Sequence, residues 1–224
     1  MNKDFKVLNL YACLGGNRYK WDEVAEEAGI DMKVTAVELD PELAKLYQER
    51  FPNDTVVIAD AHQYLLDHYK GFDFIWSSPP CPTHSKLTIT HKTKDTFIPK
   101  YPDMSLYQEV LFLEHFYDGK YCVENVTPYY EPLIPAKKRG RHLYWTNFNL
   151  PSNLNERKLG GILSSMKNEH KVLEKFHDIE VRADVGGYRD VLRNLVDYEA
   201  GRTIFETALG IIRKKDVTQT ELFQ

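Results

Sequence analysis

The chain has 224 residues in a composition ordinary for a globular protein, enough for one large core or two modest ones. Its formal charge of −4 leaves no global basic field, so contact with nucleic acid must use local patches. Three cysteines without framework spacing argue for a reducing compartment, read as the cytoplasm; no signal-peptide pattern is seen, and no apolar run approaches the roughly 20 residues that span a bilayer.

Residues 7–11 read as a buried strand running into a turn that carries Gly15 and Gly16. A helix follows over residues 21–28, stopped by Gly29. Residues 34–39 form the next strand, and Pro41 opens a helix at its favoured first position. Residues 55–58 read as a third strand, 62–69 as a helix and 72–76 as a fourth strand. Residues 83–103 break this rhythm with a long polar loop, of a length that is usually functional or mobile. Ser105 and Gln108 suggest a capping box ahead of a helix, residues 121–126 a fifth strand, and 143–148 another.

Strands alternating with helices predict an α/β fold, a parallel sheet covered on both faces. Ligands in such folds bind at the carboxyl ends of the strands. The expected organisation is a main domain over residues 1–150, a small appended subdomain over 151–189, a returning segment over 190–213 and a flexible tail over 214–224. His170 and His177 lie in the subdomain without metal-ligand spacing, and no metal is expected.

Chemistry-bearing residues fall at strand ends. Gly15 and Gly16 let a backbone turn approach a ligand. Glu38 closes the second strand, where a carboxylate can accept from both ribose hydroxyls of a nucleoside. Asp60 closes the third and can accept from an adenine amino group. Singly these are an ordinary turn and ordinary helix-start acids; on successive strands they favour a nucleoside site. The turn lacks the full G-x-G-x-x-G spacing and a P-loop lysine, which favours a cofactor without phosphates, such as S-adenosylmethionine.

Pro79-Pro80-Cys81 follows the fourth strand directly. Two prolines fix their φ angles and hold a cysteine still, as a nucleophile needs, although a lone cysteine is also often a small buried hydrophobe. The fifth strand ends on Glu124, so thiol and carboxylate can face one pocket. Lys137-Lys138-Arg139-Gly140-Arg141-His142 is the densest basic patch, suited to phosphates or simply a solvated turn.

These motifs, in this order, resemble the DNA (cytosine-5) methyltransferase family over most of the chain. The matching segments are residues 10–16, Val37-Glu38-Leu39-Asp40, Ser78-Pro79-Pro80-Cys81 with Ser85, Glu124-Asn125-Val126, Arg139-Gly140-Arg141, and Arg193-Asn194-Leu195-Val196. The resemblance implies a Rossmann-like class I S-adenosylmethionine-dependent sheet. It implies cofactor contacts from Tyr11, Ala12, Cys13, Leu14, Gly15, Gly16, Glu38, Leu39, Asp60, Ala61, Pro79 and Asn194. It implies Cys81 as nucleophile on cytosine carbon 6, Glu124 at ring nitrogen 3, and Arg141 with Arg139 at the base oxygen or a phosphate. Ser85, Lys86, Lys137 and Lys138 are the expected nucleic-acid contacts on DNA, with the base flipped out of the stack. Cys13 stands where the family has a first glycine, Pro82 follows the catalytic cysteine in place of the common glutamine, and His84 replaces an aromatic. The region available for target recognition is small, which implies short or relaxed sequence specificity.

The same machinery acting on RNA, and a silent nucleic-acid-binding or clamp-binding module, are the competing readings. The tail carries Gln219, Leu222 and Phe223 in a pattern resembling the peptide by which bacterial proteins dock on the sliding clamp.

Overall fold

A computed structural model of the protein describes residues 3–90, 92–94, 96–158, 169–181 and 188–211. The tail motif of Gln219, Leu222 and Phe223 lies outside the described residues.

Seven strands form one sheet in the order β3-β2-β1-β4-β5-β7-β6. They are β1 (Lys3–Leu10), β2 (Ile30–Glu38), β3 (Thr55–Ile58), β4 (Phe74–Ser77), β5 (Lys120–Val126), β6 (Lys137–Arg139) and β7 (His142–Thr146). The first five run parallel, while β7 and β6 are antiparallel additions at one edge. The sheet is therefore mixed rather than wholly parallel. The helices are α1 (Trp21–Ala28), α2 (Pro41–Arg50), α3 (Ala61–His68), α4 (Ser105–Phe116), α5 (Glu169–His177), α6 (Tyr188–Asn194) and α7 (Tyr198–Ala208).

Side chains alternate across each strand, so the sheet separates two cores. Leu8, Leu10, Ile75 and Val123 meet α3 and α4 on one face. Val7, Phe74, Trp76 and Cys122 meet Trp21 and Phe205 on the other. Leu150 and Leu154 join this second core, and Leu173 and Val181 pack with Leu14, Leu192 and Leu195. The segment expected to form an appended subdomain thus shares its apolar side chains with the sheet and the first loop.

Local chemistry explains the boundaries. Gly29 adopts φ 65° and caps α1. Asp40, Asp60 and Asp197 cap α2, α3 and α7 by accepting backbone N–H bonds. The capping box at Ser105 does not form: Ser105 is the first helical residue, and its N–H is taken by the Asp103 carboxylate. Asp103 N–H in turn donates to Thr83 Oγ1 at 2.9 Å, so the long loop after β4 is tied at both ends. Buried Arg18 pairs with Asp54, which also accepts from Tyr47, and so pins the turn after β1 to α2 and β3.

Strand order reverses between β1 and β4. Loops leaving the carboxyl ends of these neighbours diverge, and the crevice between them is where α/β sheets hold ligands.

Candidate active site

A cavity of about 790 Å³ opens at this reversal. Its wall is drawn from the loop after β1 (Tyr11, Ala12, Cys13, Gly16), the loop after β4 (Pro79, Cys81, Ser85), the end of β5 (Glu124, Asn125), Arg141 before β7, and Asn194. Cys81 and Glu124 therefore face one space, although they stand 43 positions apart in the chain.

The β4 loop is rigid for reasons beyond its prolines. Buried Asn125 donates through Nδ2 to Pro79 O at 2.9 Å and accepts its neighbour's N–H from Val126. Trp76 Nε1 donates to Ser78 Oγ at 2.8 Å. Ser85 and Pro128 form an isolated bridge, and Tyr129 N–H donates to His84 O. The segment bearing Cys81 is thus fastened to the end of β5, which bears Glu124, and to the segment that follows it. Burial pushes the Cys81 thiol up from its ordinary pKa and the Glu124 charge pushes it further, while Arg141 pulls it down. In the free protein the group is a thiol held ready rather than a standing thiolate.

The β1 loop is shaped by left-handed backbone. Tyr11 has φ 56°, Cys13 φ 49° and Gly15 φ 67°. Position 13 is thus one that glycine suits, and Cys13 occupies it while its N–H donates to Glu38 Oε2 at 2.8 Å. Burial, then Glu38, pushes the Cys13 thiol up to about 12, so it stays protonated at neutral pH.

The two glycines also serve the protein's own packing. A Cβ on Gly15 would lie 2.3 Å from the Phe51 ring, and one on Gly16 would lie 2.5 Å from Val196 O. Gly16 still borders the cavity, but its smallness admits the returning chain after α6. Gly16→Ala should therefore push that chain off the first loop. We expect a loss of roughly 1–3 kcal/mol, a melting temperature lower by several degrees, and weaker cofactor binding. A melting curve and a calorimetric titration unchanged from wild type would contradict this packing role.

Several expected contacts sit outside the cavity wall. Leu14 is buried against Leu173 and Leu195. Glu38 ends β2, Leu39 follows it, and Asp60 and Ala61 follow β3 along the same carboxyl edge. Lys86 is exposed in a short 3-10 turn. The basic patch is not a solvated turn: Lys137–Arg139 is the edge strand β6. Lys137 Nζ donates to Thr146 O and Oγ1 and to Phe148 O, and burial lowers its pKa. Arg139 donates to the carbonyls of Lys138, Leu150 and Pro151. Both brace the chain leaving β7. Lys138 remains exposed.

Two features escape a reading along the chain. Fully buried Glu109 of α4 accepts from Tyr11 Oη and Ser77 Oγ at 2.5 Å each and lies 3.0 Å from His62 Nδ1. One carboxylate thus ties the ends of β1 and β4 together beneath the cavity. Nothing in the amphipathic pattern of α4 marks it beyond a single acid on an apolar face. His142 also lines the cavity. Among the described residues no cluster of three or more ligating side chains could hold a metal, and no helix is long and apolar enough to cross a membrane.

The donor set suits S-adenosylmethionine. Glu38 holds one backbone N–H on each oxygen, from Cys13 and Asp40, and so is fixed in place with lone pairs left for two hydroxyls. Asp60 likewise spends one oxygen on its helix cap.

Residues 5–106 match the family model for C-5 cytosine-specific DNA methylase. Among solved structures, Entamoeba histolytica methyltransferase EhMeth aligns over 95% of this chain and 100% of that one, at 11% identity and TM-score 0.56. Spodoptera frugiperda DNMT2 aligns over 55% of this chain at 23% identity and TM-score 0.36, and this chain spans only 35% of its length. A TehB-like SAM-dependent methyltransferase from Corynebacterium glutamicum aligns over 65% of this chain and 80% of that one, at 12% identity and TM-score 0.38. A search of curated proteins gave no match. The fold is that of class I S-adenosylmethionine-dependent methyltransferases, and residues 5–106 match the model of the C-5 cytosine-specific DNA methylase family, whose cofactor is S-adenosylmethionine.

Proposed function

We propose that the protein methylates carbon 5 of cytosine in DNA through a transient covalent bond to Cys81. The observation that carries this reading is the shared cavity wall of Cys81, Glu124 and Arg141, opening at the strand reversal beside the β1 loop. Carbon 5 of cytosine is a weak nucleophile. The Cys81 thiol gives up its proton to solvent and adds through sulfur to carbon 6, which makes carbon 5 enamine-like. Glu124 holds a proton against ring nitrogen 3 and takes up the charge that develops as the sulfur bond forms. Arg141 carries positive charge to the same cavity, suited to the base carbonyl oxygen or a flanking phosphate. Bound S-adenosylmethionine supplies the electrophilic methyl group for carbon 5. Solvent then takes the proton at carbon 5, the electron pair left behind re-forms the 5,6 double bond and expels Cys81 as a thiolate that regains a proton from solvent, and nitrogen 3 returns its proton to Glu124.

The family match and the nucleophile's position support cytosine as the acceptor. A stacked duplex would keep carbon 6 from a thiol recessed in a cavity, so the base must be flipped or single-stranded. Ser85 lies on the wall and Lys86 on the loop beside it, which suits the contacts with the displaced strand that this reading assigns to them. Docking on a sliding clamp through Gln219, Leu222 and Phe223 belongs to the same reading and rests on sequence alone.

Incubation with tritiated S-adenosylmethionine and either DNA or RNA, followed by base analysis, tests the proposal. The expected product is 5-methylcytosine in DNA. Label confined to RNA would move the acceptor, and label on another base would end the cytosine reading.

A further inference from the structure

We propose that His142, braced from its far side by Glu156, is the positioning residue that sets the Glu124 carboxyl for the pyrimidine ring. This rests on the reading above, in which Glu124 works at ring nitrogen 3.

Strand register places the three side chains together. β5 and β7 run antiparallel with Glu124 opposite Tyr144 and Val126 opposite His142. Alternate residues share a face, so Glu124, Tyr144 and His142 lie on the same side of the sheet. His142 Nε2 is 3.7 Å from Glu124 Oε1, and its Nδ1 is 3.5 Å from Glu156 Oε1. Glu124 and His142 are buried, whereas the Glu156 side chain is 25% exposed. The imidazole thus spans from a carboxylate on the reaction cavity to one at the edge of solvent.

Three observations argue that the bridge is built rather than incidental. The His142 Nδ1 atom is buried and completes no hydrogen bond, a costly state unless Glu156 closes on it. The separations are a few tenths of an ångström long for hydrogen bonds, as in catalytic sites that tighten when substrate docks. Gly140 sits at φ +55°, and a Cβ there would lie 2.6 Å from Glu156 Oε2, so a glycine makes the room that lets Glu156 reach the ring. The His142 ring also holds the Glu156 carboxyl below the usual carboxylate range, which keeps it a full negative charge facing the imidazole. A carboxyl on the wall of a cavity this wide needs such a support, because catalytic groups must be held to within about half an ångström.

The test compares His142→Gln, His142→Leu and Glu156→Gln. Glutamine can place its amide nitrogen where Nε2 sits, whereas leucine fills the space and cannot donate. The expected result is a kcat lower by roughly tenfold or more in His142→Leu, recovered to within a few-fold in His142→Gln. Glu156→Gln should lower kcat by several-fold, and KM for S-adenosylmethionine should stay unchanged in all three. Leucine as active as glutamine would mean that His142 only packs, and overturns the proposal. Glu156→Gln, at a partly exposed position, keeps the test alive if His142→Leu folds poorly, and wild-type kcat in it also overturns the proposal.

A thermal double-mutant cycle needs no substrate. His142→Leu should lower the melting temperature by several degrees, and Glu124→Gln in the same chain should restore at least about half of that loss, because the stranded buried carboxylate is gone. Additive shifts overturn the pairing. If the wild type methylates no cytosine acceptor yet the cycle is non-additive, the functional reading fails and the pairing stands. If the enzyme is active and the cycle additive, the pairing alone fails.

Discussion

A Cys81→Ala protein is expected to lose methyl transfer by at least about four orders of magnitude while binding S-adenosylmethionine as tightly as the wild type. The split follows from how the cavity is assembled. Cys81 comes from the β4 side of the strand reversal, and the expected cofactor contacts come chiefly from the β1 loop and the ends of β2 and β3. Removing one sulfur leaves the Asn125 bond to Pro79 and the Thr83 bond to Asp103 in place, so the loop keeps its path. The thiol is only partly buried, so the melting temperature should move by no more than about 2 °C. Label incorporation and calorimetric titration of the same preparation separate the two effects. Transfer within tenfold of wild type would end the covalent mechanism. Lost cofactor binding would instead mean that the β4 loop had collapsed.

Parallel strands β1 to β5 were legible because each is a short apolar run followed by a cap or turn residue whose chemistry marks the boundary. Asp40 before Pro41 and Gly29 after Ala28 are examples. Cys81 and Glu124 were legible for the same reason, standing just beyond or at the ends of such runs. What stayed hidden is whatever depends on a partner distant in sequence. The bonds made by Lys137 and Arg139 stayed hidden because the sequence does not say that the chain after β7 folds back with its carbonyls toward them. The packing role of Gly15 and Gly16 stayed hidden because only the packed structure brings Phe51 and Val196 against them. Helix α5 went unread: within it only Val172, Leu173 and Phe176 are apolar, too few to set a period. His142 was visible only as the end of a basic run, since its relation to Glu124 follows from the antiparallel register of β5 and β7. Sequence periodicity thus located the strand ends, and pairing across the sheet determined which side chains act on which.

Replacing Glu124 with glutamine should separate charge from shape at the site. The amide fills the same volume but cannot hold a proton for ring nitrogen 3, so kcat is expected to fall by about a thousandfold, within the range for loss of a general acid. The same change should make Cys81 more reactive toward iodoacetamide. Burial and the Glu124 charge both raise the thiol pKa, and Arg141 opposes them. Removing the charge leaves burial and Arg141 in place, so the pKa falls part of the way and more thiolate is present at any pH below it. At pH 7.5 the alkylation rate should rise by roughly three- to tenfold, and the rate-against-pH curve should move to lower pH. The other cysteines do not obscure this: Cys122 is fully buried and Cys13 is pushed up to about 12, so peptide mapping should find the label on Cys81. Slower methylation with faster alkylation is the signature of a carboxyl that acts on the ring and the thiol at once. A Glu124→Gln protein whose Cys81 alkylates at the wild-type rate would place the carboxylate too far from the sulfur for the two to share one pyrimidine.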